Sequence, residues 1–198
     1  MENSACEKLI LEKYEWDALW IENTGNNESR RVLYIGDSIS SGTRKVANML
    51  KKDEILFDGF ATSKAVDNPF YKKSIGLFAE QLPKLELILF NNGLHGFHLE
   101  DNSEYAHYYE EMIKFLLEEY PNIPLYILLT TYRHNEEKLN RVKARNKVVL
   151  NIAKKHNLQV IDLYTVTEKN KELLSEDGVH FTDEGYEVIA KEIIKNIM

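Results

Sequence analysis

Five short runs recur along the chain: "RVLYIG", "EILFDGF", "LELILFNN", "PLYILLTT" and "LQVIDLY". Each is near-continuous in apolar residues rather than alternating, the pattern of a strand covered on both faces. Segments with helical periodicity lie between them. In the last, Tyr186, Ile189, Ala190, Ile193, Ile194 and Ile197 keep the i, i+3, i+4, i+7 spacing. Thr182 suits its N-cap, Asp183 and Glu184 its first turn, and Lys191 and Lys195 its later turns, all matching the helix dipole. Another helix uses Met112, Ile113, Leu116, Leu117 and Tyr120 and stops at Pro121. Strand and helix in alternation predict an α/β fold with right-handed crossovers and a mostly parallel sheet between helical layers. The opening residues Leu9, Ile10, Trp16 and Trp20 predict a helical extension within residues 1–30, packed on the body. No repeat, low-complexity tract or Pro/Gly/Ser linker interrupts residues 1–198, which predicts one domain.

Bulk composition narrows the class. Apolar residues make up 43% of the chain, too many for disorder. The net charge of −7 argues against nucleic acid as a partner, because that binding is driven by clustered Lys and Arg. The single cysteine, Cys6, cannot form an intramolecular disulfide, which fits a reducing compartment. The start, "MENSACEKLILEKYEW", lacks a basic stretch followed by a long apolar one, and no run approaches ~18 apolar residues. The expectation is a soluble, cytoplasmic protein with no membrane span.

In open parallel sheets the active crevice lies beyond the carboxyl ends of the strands. The segments there read "GDSIS", "DGFATS", "NNGLHGFH", "TTYRHN" and a loop running to "EDGVHF". Gly36, Gly42, Gly59, Gly93, Gly96 and Gly178 fall in or beside them, which marks that edge as the binding edge. "GDSISSGT" is no phosphate loop, since five residues separate its glycines and threonine stands where lysine belongs. It also misses G-x-G-x-x-G, and G-x-S-x-G as well, because Ser40 occupies the second glycine's place. Two readings remain. Asp37, Ser38 and Ser40 cap the following helix, or Ser38 is a nucleophile at the positive end of that helix.

A serine nucleophile needs a base. Of the six histidines, His95, His98, His107, His134, His156 and His180, the last stands out. It follows Asp177 by three residues, with Gly178 between them to bend the chain. The carboxylate can then hold one ring nitrogen while the other faces Ser38. An isolated Asp-x-x-His loop is more often structural; a serine on the same predicted edge reverses the balance towards chemistry.

These features together resemble the SGNH, or GDSL-type, esterases and acylhydrolases: "GDSIS" early, "DGVHFTDEGY" late, parallel α/β alternation between. The resemblance runs from about Arg31 to Met198. It implies a three-layer, flavodoxin-like α/β/α sandwich with a five-stranded parallel sheet, and serine hydrolysis of esters without a cofactor or metal. It implies Ser38 as nucleophile, His180 as general base and acid, and Asp177 as the residue orienting His180. The third block of the family usually reads G-x-N-D, whereas this chain has "NNGLHG", closer to a branch carrying G-L-H. His95 then stands in the place of the oxyanion asparagine, to donate an N–H or to brace its loop. Asn91 or Asn92 could supply an amide instead. For the second block, Gly59 is the candidate backbone donor, or simply a turn glycine.

Asn146 falls on an apolar helix face between Val142 and Val149, where it must be hydrogen-bonded if buried. Arg133 and His134 either line the cleft or sit in an exposed loop. The expected partner is a small-molecule or carbohydrate ester with a short acyl group, such as acetyl. Against this stands a non-catalytic glycan- or ester-binding module on the same fold. A metal hydrolase is the weaker rival, since no H-E-x-x-H occurs.

Overall fold

The computed structural model describes residues 9–198, and Cys6 lies outside them. The strands are β1 (Asp17–Trp20), β2 (Arg30–Gly36), β3 (Ile55–Thr62), β4 (Leu87–Phe90), β5 (Leu125–Leu128) and β6 (Gln159–Ile161). The helices are α1 (Ser38–Lys51), α2 (Tyr71–Ala79), α3 (Asn102–Glu119), α4 (Glu136–Lys155), α5 (Leu163–Lys169) and α6 (Asp183–Ile197). One six-stranded sheet has the order β1-β3-β2-β4-β5-β6. The five strands from β2 onward pair in parallel, as their apolar runs predict.

Burial alternates across the sheet. On β2, Leu33 and Ile35 face a cluster containing Tyr71 and Ile75 of α2, Tyr109 and Met112 of α3, and Val149 of α4. Val32 and Tyr34 face the opposite cluster, with Ala47 of α1, Leu163 of α5 and Ile189 and Ile193 of α6. These are the two helical layers of an α/β/α arrangement. Thr182 caps α6, its hydroxyl accepting from the Gly185 N–H at 3.2 Å.

Two expectations are corrected at the N-terminal side. The sheet has a sixth strand, β1, antiparallel to β3, so it is not purely parallel. The described residues before β2 contain no helix: 9–16 are irregular and 17–20 form β1. The physical reason is the open edge of β3, whose outward N–H and C=O groups need covering. Lys13 and Asp17 also interrupt the supposed apolar stripe, and Leu9, Ile10 and Trp20 remain exposed.

Arg31 anchors this region. Wholly buried, it donates to Asp58 Oδ1 on β3 at 2.8 Å and to the carbonyls of Glu22, Asn23 and Asn26. The Glu22 N–H also donates to Asp58, at 2.8 Å. The connection from β1 to β2 is thus fastened beneath the sheet, at the end remote from the crevice.

β2 has β3 on one side and β4 on the other, so the chain leaves it in both directions. Such a reversal opens a crevice at the carboxyl ends of the two diverging strands. The residues after β2 and β4 are Asp37–Ser38 and Asn91–Asn92.

Candidate active site

The turn after β2 separates the two readings of "GDSIS" onto different residues. Asp37 is the N-cap of α1: its carboxylate accepts from the Ile39 N–H at 2.9 Å. Its carbonyl takes the Ser41 N–H at 3.1 Å and the Ser40 hydroxyl at 2.6 Å. Capping is therefore supplied by Asp37, supported by Ser40. The Ser38 N–H lies at the positive end of α1, and the Ser38 hydroxyl takes no part in the cap.

It points at His180. Ser38 Oγ lies 2.8 Å from His180 Nε2, across 142 residues of chain. His180 Nδ1 lies 2.5 Å from Asp177 Oδ2. The other carboxylate oxygen, Asp177 Oδ1, accepts the N–H groups of Val179 and His180, both at 2.9 Å. The hydrogen bond from His180, then those two N–H groups, hold the Asp177 carboxyl down at about 2.

A short turn makes this possible. Leu174 and Phe181 form a β-bridge, and the Ser175 N–H donates to the His180 carbonyl at 2.8 Å. Gly178 takes φ +68°, where a side chain would be strained. Its carbonyl accepts the His134 N–H at 2.9 Å, docking the turn on the segment after β5. Arg133, expected in the cleft or in an exposed loop, is buried and lies where its charge acts on Asp177. His134 is exposed.

Burial raises the pKa of the Asp37 carboxyl, while the imidazoles of His95 and His180 pull it back. His95 therefore belongs to the same electrostatic environment as the serine turn. The loop that carries it is held from several sides. Asn91 Nδ2 donates to the Leu128 carbonyl at 2.8 Å, and Asn92 Nδ2 to the Lys64 carbonyl at 2.8 Å. The Asn92 carbonyl accepts the Tyr105 hydroxyl. A Cβ on Gly93 would stand 1.9 Å from Thr130 Oγ1, so only glycine fits there. Asn146 receives the Thr130 N–H and donates to the Thr130 carbonyl, both at 2.9 Å, fixing that threonine. The partner expected for a buried Asn146 is thus the loop after β5.

Sequence reasoning missed Arg145. It is buried and spans the third block, donating to the carbonyls of Gly93 at 3.1 Å, His95 at 2.5 Å, Gly96 at 2.6 Å and Leu99 at 3.1 Å. Its guanidinium carbon lies 4.4 Å from the centre of the Tyr105 ring. Gly59 departs from expectation. It sits within β3 rather than in the loop beyond, between Trp20 of β1 and Tyr34 of β2. A Cβ there would meet Arg44 Cδ at 2.6 Å, so its smallness serves packing against α1. The strand runs on to Thr62 because β1 pairs with its last four residues.

Among the described residues, no group of three or more His, Cys, Asp or Glu could hold a metal ion. Among them, too, no helix is long and apolar enough to cross a membrane.

Comparison with known proteins bears on the family and the fold. A family model described as the GDSL-like Lipase/Acylhydrolase family matches residues 34–188. No curated protein matches the chain. Among solved structures, it is similar to the acetyl xylan esterase AlAXEase, with TM-score 0.66 and 16% identity over 85% of this chain and 100% of that one. A lipase/acylhydrolase from Enterococcus faecalis gives TM-score 0.61 and 18% identity over 85% and 95%. Axe2, an acetylxylan esterase from Geobacillus stearothermophilus, gives 0.60 and 16% over 85% and 94%. At such identities these likenesses establish the fold. The match over residues 34–188 goes further: the chain belongs to the GDSL-like lipase/acylhydrolase family, serine hydrolases that act on esters.

Proposed function

We propose that the protein cleaves short acyl esters, with acetyl groups on carbohydrate as the favoured class, through an acyl-enzyme on Ser38. The observation that carries this reading is the 2.8 Å approach of His180 Nε2 to Ser38 Oγ, with Asp177 on the far ring nitrogen. Ser38 Oγ attacks the ester carbonyl carbon while its proton passes to Nε2. The carbonyl oxygen becomes an oxyanion, and the Ser38 N–H and a ring N–H of His95 donate to it. The C–O bond to the alcohol then breaks, and His180 returns the proton to the departing oxygen. Water, deprotonated by His180, attacks the acyl carbon and releases the acid and free Ser38. Asp177 stays ionised throughout, holding the imidazole and balancing its charge.

Asn92 is the less favoured second donor, because its amide nitrogen already donates to Lys64. The preference for acetylated sugar rests on the acetyl xylan esterases that share the fold and on polar groups such as His98, Tyr132 and Arg133 in the loops beyond the strands. A fluorophosphonate probe tests the reading. Labelling of the native protein that disappears in Ser38→Ala is expected, with hydrolysis of acetylated xylo-oligosaccharide lost alongside it. A protein that stays unlabelled would refute it.

A further inference from the structure

Arg133 stands on the segment after β5 and is only 7% exposed. The next residue, His134, ties that segment to the Asp177–His180 turn through its N–H. Arg141, in the second turn of α4, lays its guanidinium over the Phe97 ring of the His95 loop, 5.1 Å from the ring centre. Lys138 Nζ lies 5.1 Å from the same centre. Arg133 is within electrostatic reach of both Arg141 and Asp177. The two arginines therefore sit between the loop that carries His95 and the turn that carries His180.

Their charge is unmatched. Arg133 Nε and Arg141 Nη1 are buried with no hydrogen-bond partner. Neither guanidinium has a contact ion pair among the described residues. The acids nearby are engaged. Asp177 serves His180 Nδ1 and two backbone N–H groups. Glu12 Oε1 accepts the Gly96 N–H at 2.9 Å, and Asp67 Oδ2 lies 2.7 Å from His98 Nε2. The other buried arginines are provided for: Arg31 pairs with Asp58, and Arg145 donates to four carbonyls. A cation taken out of water without an acceptor is costly, so one left bare beside a crevice marks a place for a ligand's anion.

We propose that Arg133 and Arg141 form an anion subsite beside Ser38, which takes a carboxylate carried on the alcohol side of the ester. The guanidinium fork matches the two oxygens of a carboxylate. Orientation follows from the proton's path. His180 returns it to the departing alcohol oxygen, so the alcohol side of the ester faces the turn on which Arg133 is docked. The proposal rests on the ester-hydrolase reading for that orientation and narrows its substrate class to acetyl esters of acidic sugars.

The test compares acetylated glucuronic acid with acetylated glucose, using the native protein, Arg133→Met and Arg141→Met. In the native protein kcat/KM for the acidic sugar is expected to exceed that for the neutral one about tenfold, the size of a charge-assisted contact. The ratio is expected to fall to about one in each variant; as a ratio, it does not depend on how much of a variant folds. A native ratio near one, or a ratio that either variant retains, overturns the proposal. So does a preference for a succinyl over an acetyl group on glucose, which would put the anion on the acyl side. Hydrolysis of both sugars at native rates by Ser38→Ala would instead sink the serine reading, while the ratio still reported on the arginines, so the two failures are distinguishable.

Discussion

Arg145 Nη1 lies 2.5 Å from the carbonyl oxygen of His95, and the same guanidinium reaches three further carbonyls of that loop. One side chain serves all four acceptors because arginine presents a planar fork of donors. Replacing Arg145 with methionine strands buried carbonyls, so a loss of about 3–5 kcal/mol is expected in urea unfolding. Lysine, with one point charge, is expected to recover little of it, and kcat should fall as the His95 loop loosens. A methionine variant as stable as the native protein would contradict this role.

The Asp177 carboxyl is held at about 2, below its ordinary 3.8, chiefly by the hydrogen bond from His180. A depressed carboxyl contributes stability that is present above the unfolded value and lost as pH falls through the folded one. The turn should therefore keep its Asp177 contacts until pH drops from about 4 towards 2. Carbon-13 NMR of the carboxyl should place its midpoint near 2 and move it upward in His180→Ala. A midpoint that ignores that substitution would show the imidazole is not the cause.

Arg31 and Asp58 are fully buried partners 2.8 Å apart at the base of the sheet, far from the serine turn. Removing one member of such a pair leaves the other charge buried and unpaired. Asp58→Ala is expected to cost about 3–5 kcal/mol in denaturant unfolding. At a temperature where the variant stays folded, its kcat should match the native value. A stable variant with impaired turnover would reverse that assignment.

Asp177 and His180 were legible because both partners lie within one short turn, and a three-residue spacing with glycine almost fixes the geometry. The parallel core was legible because a strand buried on both faces tends to be apolar at every position, as β4 is. What escaped depends on distant partners. Arg145 sits in the i+3 position of the stripe formed by Val142, Asn146 and Val149, and a charge there was the available sign of a buried arginine. The carbonyls it serves lie some fifty residues earlier and carry no side-chain signature. Likewise, Glu12 reads as one acid among many until folding brings Gly96 beside it. Gly59 looked like a loop glycine because nothing local says that β1 will lengthen β3 past it.

Acyl transfer to Ser38 is the step from which the mechanism stands or falls. The native protein should be mixed with an activated acetyl ester, quenched in acid within the first turnover, digested and analysed by mass spectrometry. An acetyl group on the peptide containing Ser38, absent from Ser38→Ala and formed far more slowly in His180→Ala, is the expected result. Hydrolysis at the native rate with no acetyl ever found on Ser38, or sustained by Ser38→Ala, would contradict it.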